Sequence, residues 1–194
     1  MILIDNYDSF TYNVVQYLEE LGIEPKIFEN DKVTIDELKS LDFDSIIISP
    51  GAGNPDTAGI SMAVLEEFYK TKKILGICLG HQCIAKFFGA NIAKSKNPTH
   101  GKTSKIFVCE NSKLFKNLPK SFDVTRYHSL EVEKSSMPSN LKITAETQDG
   151  TIMALEHDAL PIYGVQFHPE AILTQYGHEL LRNFIEIKPL DKVS

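Results

Sequence analysis

Lys73 to Phe88 reads KILGICLGHQCIAKFF. A short apolar run ends in Gly76-Ile77-Cys78-Leu79-Gly80 and passes straight into an amphipathic helical pattern, which predicts a strand, a tight turn and a helix. The form G-x-nucleophile-x-G is that of a nucleophile elbow. Its glycines let strand and helix cross closely, and its central residue sits strained and exposed at the carboxyl edge of a sheet. Cys78 holds that place. At the amino end of a helix, unpaired backbone N–H groups and the macrodipole favour thiolate over thiol. A free cysteine is more often simply buried, but glycines at both flanking positions make that the weaker reading.

Outward from this stretch, strands and helices alternate. Met1 to Asp5 is an apolar strand, the polar turn Asp5 to Ser9 leads into a helix from Phe10 to Leu21, and Gly22 stops it. Pro25 to Glu29 is a second strand, Thr34-Ile35-Asp36-Glu37 has the capping-box form, and Ser45 to Ser49 is a β-branched run suited to burial on both faces. The loop Ser49-Pro50-Gly51-Ala52-Gly53-Asn54-Pro55-Asp56 precedes a helix from Ile60 to Thr71. If its strand neighbours the elbow strand, the loop lies at the same edge as Cys78. This rhythm predicts right-handed β-α-β units. After Gly89 the pattern becomes mainly short β segments: Thr103 to Val108, Phe122 to Arg126, Leu141 to Thr147, an Asp149-Gly150 turn and Thr151 to Glu156. Ile162 to Phe167 is a last strand, Tyr176 to Ile185 a closing helix, and Lys188 to Ser194 a frayed tail. The expected fold is α/β: an open, mostly parallel central sheet with helices on both faces and a smaller mixed or antiparallel β extension, as a single domain over residues 1–194.

With 194 residues, 42% of them hydrophobic, such a domain buries roughly 70% of its unfolded surface and leaves no room for a second catalytic one. A formal net charge of -6 without a basic patch disfavours nucleic acid and anionic membrane as partners. Three cysteines at irregular spacing fit a reducing compartment, and none has metal-ligand spacing with the six histidines. MILIDNYDSF begins as a strand without signal-peptide features, and no apolar run approaches the ~20 residues of a membrane span, so a cytoplasmic protein is expected.

A catalytic thiolate wants a base and a third group to orient it. His81 lies one turn along the elbow helix, its ring directed along the flank, and reads as structural. His100, His157 and His178 lack an acidic neighbour in a rigid relation and read as exposed or loop histidines. His168 precedes Pro169, which favours an extended backbone in which residues i and i+2 project together, so Glu170 can reach its ring. An oxyanion formed on Cys78 attack needs two donors: the Leu79 N–H by elbow geometry, and Gly51 from the glycine-rich loop. The chemistry is acyl transfer from an amide or ester.

These segments resemble the class I (triad) glutamine amidotransferases, and within them the small glutaminase subunits of anthranilate and aminodeoxychorismate synthases. DNYDSFTYNVVQYL, SPGAGNPDTAGI, GICLGHQCIA, HGKTS, RYHSLEV, GTIMALEH, GVQFHPEAILTQYG and LLRNF follow that pattern in order and spacing, nearly end to end. The Cys and His-Pro-Glu motifs define the class; DNYDSFTYN, HGKTS and RYHSL point to the chorismate-linked branch. The resemblance implies a Cys78, His168 and Glu170 triad, an oxyanion hole at Gly51 and Leu79, and L-glutamine held by Gly51, Gly53, Gln82, Ser129 and Leu130. It implies no cofactor or metal in this chain, and ammonia passed to a larger chorismate-binding synthase subunit. Ala52 stands where the branch usually has proline, and Ala171 where it often has serine. A glutaminase serving another acceptor, such as guanine nucleotide or carbamoyl phosphate synthesis, usually carries extra domains and would not be expected to carry DNYDSFTYN. A non-catalytic binding protein on this fold would need a broken triad or glutamine pocket.

Overall fold

The computed structural model describes residues 1–109 and 112–189. Strand β1 (Ile2–Asn6) is apolar on both sides of its pleat because both sides are covered: Ile2 and Ile4 pack into one core, Leu3 into another. The same division runs through β3 (Ser45–Gly51), with Ile46 and Ile48 against Ile47, and β4 (Lys73–Ile77), with Ile74 against Leu75. Helices α2 (Ile35–Lys39), α3 (Ser61–Phe68) and α4 (Leu79–Phe87) close the first core through Leu38, Leu65 and Ile84. Helices α1 (Thr11–Glu20) and α5 (Gly177–Glu186) close the second through Val14, Leu18, Leu181 and Phe184. The Thr34–Glu37 capping box forms as expected, each residue's side chain accepting the other's backbone N–H.

Five strands run parallel in the order β2-β1-β3-β4-β9, with β2 at Lys26–Glu29 and β9 at Ile162–Val165. The sheet then continues without a break through the antiparallel strands β8 (Ile152–His157), β7 (Leu141–Thr147), β5 (Ile92–Val108) and β6 (Ser121–Val132). The β extension is therefore part of one sheet. Its outer strands are longer than expected: β5 has 17 residues and β6 has 12, forming a ribbon in which β5 is mostly exposed. Lys, Ser, Asn and Thr fill the exposed stretch, so no apolar alternation marks it; main-chain pairing to β6 holds it. The expected fraying of Lys188 to Ser194 falls, from residue 190 on, outside the described residues. Among the described residues no helix is long and apolar enough to cross a membrane.

Candidate active site

The elbow forms where β4 meets α4. Cys78 is strained as expected but not exposed: it is buried, at 5% exposure, beneath the cleft that reaches it. Its φ 52° and ψ -100° lie outside the ordinary basins of an L-residue, a strain of order 1–3 kcal/mol that the surrounding packing must hold. Two glycines make the crossing possible: a Cβ on Gly76 would lie 2.3 Å from the Gly80 carbonyl, and one on Gly80 2.3 Å from the Ile48 oxygen. The Cys78 N–H donates to the Val165 carbonyl at 2.8 Å, tying the nucleophile position to β9. Gly51, at the end of β3, sits so near that a Cβ there would come within 2.8 Å of the Leu79 side chain and 2.5 Å of Asn6 Cβ. Asn6 is itself pinned, its N–H donating to Ser49 Oγ at 2.8 Å and its side chain to the Ser49 carbonyl at 3.0 Å. DNYDSFTYN thus builds the edge against which the Gly51 loop rests.

His168 and Glu170 follow β9 and are both buried, at 1% and 2% exposure, with Nδ1 and Oε1 2.6 Å apart. The segment is fixed to β6: the His168 N–H donates to the Thr125 carbonyl, and Thr174 Oγ1 donates to the His168 carbonyl at 2.6 Å. Gly177 is required beneath it, since a Cβ there would lie 1.9 Å from the Pro169 oxygen. Burial opposes charge on the His168 imidazole, but the Cys78 sulfur and the Glu170 carboxylate favour it more, and its pKa rises to about 10. Nε2 nevertheless has no hydrogen bond of acceptable geometry. The attraction to sulfur is therefore one of proximity rather than of a formed hydrogen bond. Meanwhile the thiol donates to the Tyr127 carbonyl at 3.8 Å. Phe10 and Tyr127 stand edge-on to the His168 ring, at 5.6 and 5.2 Å between centroids, and wall it from solvent. The sequence reading did not assign either aromatic.

A cleft of about 260 Å³ opens over Cys78 and collects Gly51, Ala52, Gly53, Leu79, Gln82, Ser129 and Leu130, together with His100, Tyr127 and His128. The five residues expected to hold a ligand thus line one cavity, while His168 and Glu170 lie outside its lining. Two further buried groups escaped the sequence reading. Gln166, the polar residue closing the IYGVQF run, is wholly buried, and His128 is buried beside Arg126, whose Nε donates to His128 Nε2 at 2.9 Å. Among the described residues no three His, Cys, Asp or Glu side chains are grouped to hold a metal ion.

The other histidines partly overturn expectation. His81 is structural as expected, fully buried against Gly164 of β9. His100 is exposed, as expected, though it lies within β5 rather than in a loop, and its Nε2 meets Ser129 Oγ at 2.9 Å. His178 does have an acidic partner, Glu20 at 2.6 Å, and stacks on Tyr17, joining α5 to α1; His157 meets Asp158 at 3.1 Å and accepts from the backbone N–H groups of Ala159 and Leu160. The His178–Glu20 and His100–Ser129 contacts join separate elements and leave no trace in local spacing, whereas Asp158 stands next to His157 in the sequence. Burial pushes the His81 pKa down to about 3; burial and then Arg126 push that of His128 down to about 4. The unfolded chain therefore binds protons that these rings refuse below about pH 6.5, and stability falls as pH drops toward 4 by about 1.4 kcal/mol per unit per histidine. Urea unfolding at pH 7 and pH 5 should show this loss, reduced in His81→Met; identical pH dependence in the two chains would refute the assignment.

Residues 2–187 match the family model for glutamine amidotransferase class-I. Over 186 residues the chain is 50% identical to the aminodeoxychorismate/anthranilate synthase component 2 of Bacillus subtilis, spanning 96% of this chain and 95% of that protein. It is 47% identical over 186 residues to the anthranilate synthase component 2 of Azospirillum brasilense, spanning 95% and 94%. A solved structure from Thermoplasma acidophilum, assigned as part of a GMP synthase, is similar with a TM-score of 0.82 at 34% identity, over 95% of this chain and 92% of that one.

Proposed function

From its membership of the class I glutamine amidotransferases, which the family match and these relatives establish, we propose that the chain is the glutaminase component of a chorismate-aminating synthase. The observation that carries the reading is one cleft that joins a strained Cys78 to Gly51, Gly53, Gln82, Ser129 and Leu130, with a buried His168–Glu170 pair beside the sulfur. His168 Nε2 takes the Cys78 proton and the sulfur adds to the side-chain carbonyl carbon of L-glutamine. The resulting oxyanion is met by the N–H groups of Leu79 and Gly51, each such donor contributing ~2.7–4 kcal/mol. As the C–N bond breaks, His168 returns the proton to the leaving nitrogen and ammonia departs, leaving a thioester on Cys78. Water activated by the same imidazole releases glutamate and restores the thiol. No cofactor or metal takes part in this chain's share of the reaction. The protein works in the cytoplasm and binds neither nucleic acid nor membrane.

Ammonia passes to a larger chorismate-binding subunit, and that partner's chemistry sets whether anthranilate or 4-amino-4-deoxychorismate is made. The Thermoplasma similarity favours a second reading, a glutaminase for a nucleotide synthase. Chain length does not separate the two, because this chain spans 92% of that protein. The DNYDSFTYN segment and the greater identity to the component 2 proteins favour the first.

Beside Glu170 a groove of about 300 Å³ is lined by Phe10, Ala171, Ile172 and Leu173, and the last two are 92% and 60% exposed. On this reading the groove, exposed and bordered by Glu170, is where the synthase subunit docks, and docking orders the Gly51–Gly53 loop, where Ala52 is less rigid than proline. The isolated chain should hydrolyse glutamine poorly, and the large partner with chorismate should raise the rate. Ile172→Asp should remove that increment without lowering the basal rate. Equal rates with and without a sedimentation-proven partner would sink this coupling.

A further inference from the structure

A chain of hydrogen bonds runs from the cleft to the nucleophile, and the chemistry of one end fixes every member. The Leu130 carbonyl can only accept, so the Gln82 side-chain atom 3.1 Å from it must be the amide nitrogen. The other hydrogen of that nitrogen meets Gln166 at 3.1 Å, which must therefore present its oxygen. Gln166 is then left with its own NH2 toward the Cys78 sulfur, 3.7 Å away. Gln166, just past the end of β9, is 0% exposed, so bulk solvent does not reach these contacts. Gln82 Oε1 accepts no bond from the described residues and is the polar atom Gln82 presents to the cleft that it lines.

We propose that Gln166 is a positioning residue of this site: held by Gln82, it directs a fixed N–H donor at the Cys78 sulfur and so favours the anionic nucleophile. The proposal rests on the reading of Cys78 as nucleophile. A donor is the useful partner here because the other contact of the sulfur, the Tyr127 carbonyl, is an acceptor that favours the neutral thiol. Once the proton has gone to His168, the Tyr127 contact becomes repulsive and the Gln166 contact becomes charge-assisted, the stronger kind. The pair therefore distinguishes the two protonation states of the sulfur.

The test reads the sulfur without glutamine. Iodoacetamide alkylation of Cys78, followed by peptide mass spectrometry from pH 5 to pH 10, reports thiolate; exposed Cys109 serves as the internal reference. Other titrating groups around the sulfur are His168 with Glu170 after β9, His128 on β6, His100 on β5 and His81 on α4, and all are unchanged in the variants. In Gln166→Met, which keeps length but removes the donor, Cys78 should alkylate roughly tenfold more slowly at pH 7, with the midpoint moved up by about one unit. Gln166→Glu, which turns a carboxylate toward the sulfur, should move it further in the same direction. Cys109 should not change. A Gln166→Met chain that alkylates Cys78 at the native rate across the range overturns the proposal while leaving glutamine hydrolysis untouched. Should the variants not fold, the native chain still decides: the side-chain amide signals of Gln166 in nitrogen-15 NMR should shift with the ionisation of Cys78. Signals that stay flat through the alkylation midpoint overturn it equally.

Discussion

Replacing Cys78 with serine should abolish glutamine-dependent synthesis, by a factor on the order of 10⁶, while the synthase partner supplied with ammonium salts still aminates its substrate. The exchange is one atom in a position whose geometry is set by its neighbours: φ 52° is imposed by the Gly76–Gly80 crossing and by the Cys78 N–H bond to β9. Serine can occupy it with the fold unchanged. What it lacks is an ionisable nucleophile, because the neighbours that stabilise a thiolate are too weak to hold an alkoxide. The ammonia rate separates loss of chemistry from loss of assembly: if it fell together with the glutamine rate, the damage would be to the complex. Normal glutamine-dependent turnover in the Cys78→Ser chain would falsify the nucleophile assignment.

The elbow was legible because its requirement is local. Glycines on either side of the nucleophile announce a crossing too close for any Cβ, and the contacts of 2.3 Å confirm that only hydrogen fits at Gly76 and Gly80. The double-sided sheet was legible for the same reason: apolar residues at both parities of β1, β3 and β4 require two cores. His168 and Glu170 were readable as a pair, but not for the reason expected: Pro169 and Glu170 form a turn rather than an extended run, with the Ala171 N–H donating to the His168 carbonyl at 3.3 Å, and it is this turn that brings the carboxylate to the ring. The β5–β6 ribbon was not, since a strand paired by main chain over polar side chains carries no hydrophobic period. Nor were Phe10 and Tyr127, which reach His168 from two distant segments. Gln166 left one signal that could have been used: a lone amide in an otherwise apolar strand must find partners if it is buried, and here they are Gln82 and the nucleophile.

Removing the base should be the second largest loss. His168→Asn should slow thioester formation by about 10² to 10⁴, and Glu170→Gln should do less at neutral pH but change the shape of the pH profile. The sign follows from the charges around the ring. Burial alone would discharge the imidazole; the sulfur and the Glu170 carboxylate overcome it and raise the pKa to about 10, so that once the ring has taken the thiol's proton it holds it until the leaving nitrogen needs it. Glutamine at position 170 preserves an acceptor for Nδ1–H but removes the negative charge, and the imidazolium pKa must fall. The alkaline limb of thioester formation should then begin at lower pH than in the native chain, with a deficit that is modest at pH 7 and grows toward pH 9. His81→Met, which alters a ring packed against Gly164 behind the sheet, should leave that limb where it is. Single-turnover acylation measured over the pH range, with near-ultraviolet circular dichroism to establish folding, distinguishes the cases. An alkaline limb in Glu170→Gln that coincides with the native one would mean that the carboxylate orients the ring without holding its charge, and a heavier loss from His81→Met than from His168→Asn would mean that the base has been wrongly chosen.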